Sequence, residues 1–495
     1  MAERAISSSG LWIICLAWLL LSSSCVSTSP SRKPTPTSPI ESQLSASTVG
    51  FATAASTVLN DRSATPAPSN TYSYETAYSP DHLAEPPVYL VPTDADSALA
   101  STDCSGWVSF VVNTVSPLHE AVLQSQRNLP EYNEVYPDGF SLKEGVRPWA
   151  RAFVLANYLR ADYAKSTGFE PVVNAEGLQP GDIAAYEMGR YTNPSDASLS
   201  KPKDTGHTFV VIGSPSIVDA KTADYDGGGT LSDRAQKVVA VLAIDSSSVR
   251  HFLPDSRQNA QGEFTLPPNP PYSGAKAGGI GTGTLWFALD QDGQVIQRRI
   301  GPHDEYTEVL IAAGRMTSII SLSPEVLDDE GNLVVEIFDN SPSQFGGASY
   351  GRTPIDVTGK GGIRLVGGGR LTLNGRSDFS GGVTVDSGEL VADSEDALGT
   401  GNVEIRGGAL RLKRAALGDT ASLRLSDALQ DGAIHLGFSG RDIVQSLQIG
   451  DAVYRCGTWG SPESGAMFTD SLFSGPGILH LAAEPIEGCT MKRTN

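Results

Sequence analysis

The chain has 495 residues, too many for one ordinary domain, so two or three domains are expected. A hydrophobic fraction of 40% and a charged fraction of 19% are typical of a soluble protein. The formal net charge of -20 argues against nucleic acid or an anionic lipid surface as an electrostatic partner.

The first 25 residues have the pattern of an export signal. Arg4 is their only positive side chain, and the apolar core at residues 11–21 is too short to cross a bilayer as a helix. Residues 21–25 (Leu-Ser-Ser-Ser-Cys) resemble a bacterial lipoprotein processing site, in which Cys25 becomes the lipidated first residue. An ordinary cleaved signal peptide is the alternative. The pattern predicts an exported protein of the cell envelope, in the periplasm or on the outer surface, whose contact with a membrane depends on a lipid anchor at Cys25.

Residues 26–84 are rich in Ser, Thr, Pro and Ala. They lack the periodic apolar residues that a folded core needs. This composition predicts a flexible tether between the export signal and the first folded domain.

Residues 85–302 are predicted to form an α+β domain. One helix starts at Cys104 and ends near Pro117, and a second at 149–159 has one apolar face. Short apolar runs predict strands at 183–186, 208–212, 238–244, 284–288 and 295–296. Helices followed by strands in this order favour an antiparallel sheet with helices packed on it.

Cys104 is the candidate nucleophile of this domain. Asp103 or Thr102 can cap the predicted helix, which places the thiol in the first turn beside unpaired backbone N–H groups. The positive end of the helix dipole favours the thiolate, which is the nucleophilic form. A buried structural cysteine is the alternative when this motif is taken alone.

A cysteine nucleophile needs a base, and the base needs a group that orients it. His207 follows a Gly and opens the strand at 208–212, so its position is well defined. Asp245 terminates the strand at 238–244 and can accept the imidazole N–H. The alternatives are a turn histidine at 207 and a turn-capping aspartate at 245.

The blocks 103–106 (Asp-Cys-Ser-Gly), 178–183 (Leu-Gln-Pro-Gly-Asp-Ile) and 205–213 (Thr-Gly-His-Thr-Phe-Val-Val-Ile-Gly) resemble the NlpC/P60 cysteine peptidases, which have a papain-like fold. The resemblance implies a catalytic set of Cys104, His207 and Asp245, with His251 as the rival for the third place. It assigns Asp182 to a structural turn. It also implies cleavage of amide bonds in peptidoglycan stem peptides, which makes peptidoglycan or another peptide amide the expected partner.

From residue 303 to 495, short alternating strands are separated by glycine clusters. Strands this short bury an apolar face only when they stack, which predicts an all-β solenoid. Residues 369–375, 379–390 and 397–403 resemble the autotransporter-associated β-strand repeat, which implies a right-handed β-helix that serves as a spacer or adhesive surface. We expect this region and the first domain to bury separate cores.

Residues 224–232 resemble a calcium loop, but Gly228 offers no side-chain ligand and Ala235 replaces the closing glutamate. A solvated acidic loop is therefore predicted, and neither a metal nor a cofactor is expected. Cys456 and Cys489 are predicted to form a disulfide that holds the C-terminal tail across the end of the solenoid.

The predicted function is thus an exported cysteine peptidase or amidase joined to a β-solenoid. Two alternatives remain open: an inactive surface adhesion or binding protein, and an acyltransferase with the same Cys and His. Hydrolysis and acyl transfer share the thioester step, so the sequence does not separate them.

Overall fold

The computed structural model describes residues 70–72, 100–128, 150–188, 190–193, 196–202, 206–219, 230–258, 263, 277–337 and 354–482. The predicted export signal with Cys25, most of the tether, residues 224–229 of the acidic loop and Cys489 lie outside these ranges. The described protein is mostly β-structure with few helices, and it contains an antiparallel sheet and several parallel sheets. This confirms the predicted combination at a coarse level. No helix of the described ranges is long and apolar enough to span a membrane.

Two three-residue strands precede the first helix. Strand β1 (Asn70–Tyr72) pairs in parallel with β2 (Ala100–Thr102). Strand β1 lies inside the segment predicted to be a tether, so this part of it carries regular structure. Strand β2 is followed within two residues by Cys104.

Three α-helices lie in the described ranges: α1 (Cys104–Val115), α2 (Pro117–Ser125) and α3 (Ala152–Arg160). The predicted start of α1 at Cys104 and its end before Pro117 are confirmed. Proline at the first position of α2 costs no hydrogen bond, because that N–H has no partner within a helix. Helix α3 begins three residues later than predicted. Single turns of 3₁₀-helix occur at Gln126–Asn128, Asp162–Ala164, Ala175–Gly177 and Pro324–Val326.

The helices pack on a sheet whose strands pair in antiparallel fashion. Its strands are β3 (Phe169–Pro171), β4 (Ile183–Glu187), β7 (Gly206–Val211), β8 (Ser216–Val218), β9 (Lys237–Ser247), β10 (Gly279–Leu289), β11 (Val295–Arg299), β12 (Thr307–Glu308) and β13 (Leu310–Met316). They lie in the order β12-β11-β10-β9-β7-β4-β13-β3, and β8 also pairs with β9. A separate antiparallel pair is formed by β5 (Arg190–Asn193) and β6 (Asp196–Pro202). The five predicted strands are all present, and the sheet extends past the predicted domain boundary at residue 302 because β13 pairs with β4 and β3.

Both faces of this sheet are buried. Residues such as Ile183 and Val210 face one core together with the helices, whereas Tyr186 and Phe209 face a second core. A strand that is covered on both sides shows a continuous apolar run instead of an alternating one. This explains why the central strands appear in the sequence as unbroken apolar segments.

The C-terminal region, residues 319–481, is built from short strands that mostly pair in parallel. They are β14 (Ile319–Leu322), β15 (Asn332–Glu336), β16 (Asp356–Gly359), β17 (Gly362–Val366), β18 (Arg370–Leu373), β19 (Val383–Val385), β20 (Glu389–Ala392), β21 (Val403–Ile405), β22 (Ala409–Leu412), β23 (Ser422–Leu425), β24 (Ile434–Leu436), β25 (Arg441–Val444), β26 (Ser446–Ile449), β27 (Ala452–Tyr454), β28 (Gly457–Gly460), β29 (Phe468–Thr469), β30 (Phe473–Ser474) and β31 (Ile478–Leu481). Two longer parallel sheets run β15-β17-β19-β21-β23-β26 and β18-β20-β22-β24-β30.

Apolar side chains form columns across these parallel sheets. In the first sheet the register aligns Leu333, Ile363, Val383, Val403, Leu423 and Leu447. All six are buried, as the alternating pattern of each strand predicts. The glycines between strands permit close stacking: Gly382 has φ of +87°, and a Cβ atom there would lie 2.3 Å from the carbonyl oxygen of Asn402.

The expectation of two separate cores is wrong. One continuous core contains Trp107 and Leu118 of the helices together with Leu333 and Leu365 of the C-terminal region. Helix α2 packs against β15, and the Asn113 amide donates to the carbonyl oxygen of Glu336 at 3.0 Å. An amphipathic helix in a sequence does not reveal which surface will cover its apolar face.

Cys456 follows β27 and is disulfide-bonded. Cys104 is the other described cysteine and is a free thiol, so the partner of Cys456 lies outside the described residues. The predicted bridge to Cys489 therefore stays a prediction.

Candidate active site

Cys104 lies at the N-terminus of α1 and is 6% exposed. The carboxylate of Asp103 caps the helix, since its Oδ1 accepts from the Gly106 N–H at 2.7 Å. Its other oxygen accepts from the Arg151 guanidinium at 2.9 Å, and this ion pair is buried. Because Arg151 immediately precedes α3, the pair ties the start of that helix to the start of α1. The thiol is thus fixed beside backbone N–H groups that helix geometry leaves without intrahelical partners.

His207 is the second residue of β7 and lies opposite Tyr186 of β4. Gly206 allows this pairing, because a Cβ atom there would lie 2.4 Å from the Tyr186 carbonyl oxygen. The His207 imidazole lies close enough to Cys104 for the two groups to interact electrostatically. The other side of the ring meets the third predicted residue, with His207 Nε2 lying 2.5 Å from Asp245 Oδ2. The structure therefore brings all three predicted site residues together.

The electrostatics of this trio favour a charged imidazole. Burial alone would lower the pKa of His207, but its interactions with Cys104 and Asp245 outweigh burial and raise the pKa to about 9. Near neutral pH the arrangement thus holds a proton on His207, next to the Cys104 sulfur.

Asp245 lies inside β9, which continues to Ser247, and not at the end of the strand as predicted. Its side chain is fully buried, with donors on both carboxylate oxygens. Burial would raise the pKa of Asp245, but Arg257, His251 and His207 hold it well below its usual value. A buried carboxylate with three such neighbours remains ionised.

His251, the rival for the third position, does not take the place of Asp245. Its Nε2 lies 2.6 Å from Asp245 Oδ2, and its ring centroid is 6.1 Å from that of His207. It therefore acts on Asp245 and not directly on the base. Sequence reasoning missed Arg257, whose Nη1 donates to Asp245 Oδ1 at 2.5 Å.

The segment that carries His251 and Arg257 lies over a strip of glycines on β10, at positions 279, 281 and 283. Cβ atoms at Gly281 and Gly283 would lie 2.5 Å from Arg257 Cγ and 2.6 Å from His251 Cβ. Glycine at every second residue of a strand clears one face of it. This alternation was the available sequence signal for a buried segment packed at that position.

Two other polar residues have structural roles. His119 is buried away from the trio, with Nδ1 2.6 Å from the Ser116 hydroxyl and Nε2 3.1 Å from the Gly168 carbonyl oxygen. Burial lowers its pKa to about 4, so it is neutral at physiological pH. Asp182 accepts from the Gln179 N–H and pairs with Arg315, in keeping with the structural turn that the resemblance implies.

His207, Asp245 and His251 also form a group whose ligand atoms lie within 4.8 Å of one another, close enough to hold a metal ion. Their present geometry suits hydrogen bonds better, because both imidazoles lie within 2.6 Å of one carboxylate oxygen. Arg257 places a further positive charge on the other oxygen, which opposes a cation at this position. The donor set therefore fits a protonated network and not a metal centre.

A cavity of about 590 Å³ lies elsewhere, lined by residues of α3, β11 and β13 that include Arg160, Gln297 and Ile311. None of the trio lines it.

No family model, no curated protein and no solved structure matches this chain. Any functional assignment thus depends on the geometry of the described residues.

Proposed function

We propose that this chain is an exported cysteine peptidase or amidase of the NlpC/P60 type that cleaves amide bonds in peptidoglycan stem peptides. The observation that carries the proposal is the buried group of Cys104, His207 and Asp245, with Cys104 at the start of a helix. The antiparallel sheet with α1 packed on it is consistent with the papain-like architecture that the resemblance implies.

In the proposed mechanism, the Cys104 thiolate attacks the substrate carbonyl carbon. The N–H groups at the start of α1 stabilise the negative charge that develops on the carbonyl oxygen. The His207 imidazolium then gives its proton to the leaving amine, and the carbon–nitrogen bond breaks to leave a thioester. A water molecule deprotonated by His207 hydrolyses the thioester, and the acid product and the thiolate are released.

Asp245 contributes by orientation and charge. Its carboxylate holds Nε2 of His207, which leaves Nδ1 as the ring nitrogen available to Cys104. A carboxylate in this position fixes the imidazole and stabilises its charged form. It does not need to accept a proton for the reaction to proceed.

We further propose that the C-terminal region is a β-solenoid that serves as a spacer or adhesive surface. The aligned apolar columns and the parallel pairing of successive strands support this reading. A cell-envelope location and a lipid anchor at Cys25 belong to the same proposal. The anchor predicts that labelled fatty acid enters the wild-type protein but not Cys25→Ser.

The deciding experiment incubates the full chain with purified peptidoglycan and identifies released fragments by mass spectrometry. The wild-type protein should release stem-peptide fragments, whereas Cys104→Ala should release none while keeping its circular dichroism spectrum. His119→Gln is the matched control, because His119 is buried outside the trio and should leave the release unchanged.

Two outcomes would replace this proposal with one of its alternatives. Binding to peptidoglycan without release of any fragment by the wild-type protein would favour an adhesion protein. Transfer of the acyl group to an added amine, in preference to water, would favour an acyltransferase. Release that persists in Cys104→Ala would contradict the assigned nucleophile in either case.

A further inference from the structure

Asp245 is held from three sides, and two of the three donors are histidines. Its Oδ2 lies 2.5 Å from His207 Nε2 and 2.6 Å from His251 Nε2. Its Oδ1 accepts from Arg257 Nη1 at 2.5 Å, and Arg257 Nε pairs with Asp255 at 2.9 Å. The proposed base and His251 therefore share one carboxylate oxygen.

His251 is itself held in place. Its backbone N–H donates to Asp255 Oδ2 at 2.8 Å, and its Nδ1 lies 2.9 Å from the Val249 carbonyl oxygen. The side chain has no exposed surface. A buried residue held at its backbone N–H and at Nε2 has little freedom to move, so it can fix the position of what it contacts.

The proton on His251 can be assigned from its neighbours. Burial lowers the pKa of His251, and the positive charge of Arg257 lowers it further. The negative charge of Asp245 raises it but does not outweigh these effects. A neutral imidazole has one N–H, and an ionised carboxylate is a stronger acceptor than a carbonyl. We therefore assign the proton to Nε2, which donates to Asp245.

The space for this network is provided by β10. Gly281 pairs with Asp245, and Cβ atoms at Gly281 and Gly283 would collide with Arg257 and His251. Side chains at these positions would thus exclude both residues from their place behind Asp245. The two glycines therefore leave the space on β10 that both His251 and Arg257 occupy.

We propose that His251 is a positioning residue of the Cys104–His207 pair: its Nε2–H fixes the Asp245 carboxylate in the orientation that faces His207. The inference rests on the proposed function, since it assigns a part of the same site. Without His251, Arg257 is the remaining neighbour that fixes the carboxylate, and its planar guanidinium can bind both oxygens together. The carboxylate of Asp245 would rotate to face Arg257 with both oxygens. This rotation would move Oδ2 away from His207 and lower the pKa of the imidazole.

The test compares two polar substitutions of His251 in the full chain. In His251→Gln, the side-chain amide reaches the position of Nε2 and can still donate to Asp245. In His251→Asn, the shorter amide reaches only the position of Nδ1. Both replace a buried imidazole by an amide, so any general cost to folding is similar, and His119→Gln serves as a control for that cost.

The readout is the rate at which iodoacetamide alkylates Cys104, followed across pH by mass spectrometry of the peptide that contains it. Only the thiolate reacts, so the profile reports the thiolate–imidazolium pair without any substrate. We expect His251→Asn to shift the acidic limb of this profile to higher pH by about one unit, which lowers the rate on that limb about tenfold. His251→Gln and His119→Gln should stay within about twofold of the wild-type rate.

Two results would overturn the inference. A wild-type profile in folded His251→Asn would show that His251 does not position Asp245. Equal losses in the Gln and Asn variants would show that the Nε2 hydrogen bond is not the cause. The underlying function is tested separately by His207→Ala: an unchanged alkylation profile in that variant would refute the Cys104–His207 pair itself.

Discussion

Glu120 is predicted to make the stability of the protein depend on pH. It lies on α2, which packs against β15, and its Oε1 accepts hydrogen bonds from Ser109 and Gln124. Burial raises the pKa of Glu120 from 4.5 to about 8, although these hydrogen bonds and Arg127 oppose the rise. Its Oε2 has no hydrogen-bond partner within the described residues, so this oxygen carries the proton in the neutral acid.

The size of the effect follows from the shift in pKa. The folded pKa lies above the unfolded one, so the folded state binds more protons between the two values and stability falls as pH rises. The contribution is fully present below pH 4.5 and is lost as pH rises through about 8. At about 1.4 kcal/mol for each pKa unit, the loss amounts to about 5 kcal/mol.

Glu120→Gln should remove this dependence. The amide NH₂ takes the place of the protonated Oε2, so the variant should match the wild-type free energy of unfolding near pH 5 and exceed it near pH 8.5 by up to about 5 kcal/mol. Urea denaturation across this pH range measures the difference. Glu308→Gln, an exposed glutamate, is the control and should retain the wild-type slope. Parallel curves for wild type and Glu120→Gln would refute the reasoning.

Three further predictions concern the site and its support. Asp245→Asn removes one of the charges that raise the pKa of His207. The decline of kcat/KM at alkaline pH should therefore move from about pH 9 to lower pH, and a decline that stays at the same pH would contradict the assigned role of Asp245. Gly206→Ala places a Cβ atom within 2.4 Å of the Tyr186 carbonyl oxygen. The variant should keep its circular dichroism spectrum but lose about a hundredfold in kcat/KM, because His207 is displaced. Full activity would show that the position of His207 does not need to be so exact. A chain ending at residue 318 should lose its cooperative thermal transition, because the helices share one core with the removed strands, and an unchanged transition would show that the cores are separable.

The features of the site that the sequence predicted depend on short-range signals. The Asp103 cap fixes the start of α1 within three residues, and Gly206 directly precedes His207 on its strand. Asp245 was found because it follows an apolar run, although that run continues as a strand past it to Ser247. In each case the sequence signal lies within a few residues of the side chain that it identifies.

The features that the sequence did not predict depend on contacts between distant segments. Strand β13 completes the antiparallel sheet by pairing with β4, which lies far earlier in the chain, and no local pattern indicates that return. Arg257 lies in a segment where the structure has no long helix or strand, so periodicity offers no signal for it, and His251 of the same segment was named only as the rival for the third site position. The alternating glycines at 279, 281 and 283 indicate a cleared face of the strand, but they do not identify the segment that packs on it.

The continuous core changes the role of the C-terminal region in the proposed enzyme. Helix α1 carries Cys104 at one end, and its Asn113 donates to Glu336 of β15 near the other. Helix α2 covers the same strand, so the first strands of this region support the helix that holds the thiol. Since a misplacement of about 1 Å at a reacting atom can lower a rate about a hundredfold, the proposed activity would depend on these strands through the position of α1. A spacer joined only by a flexible linker would have no such influence on the site.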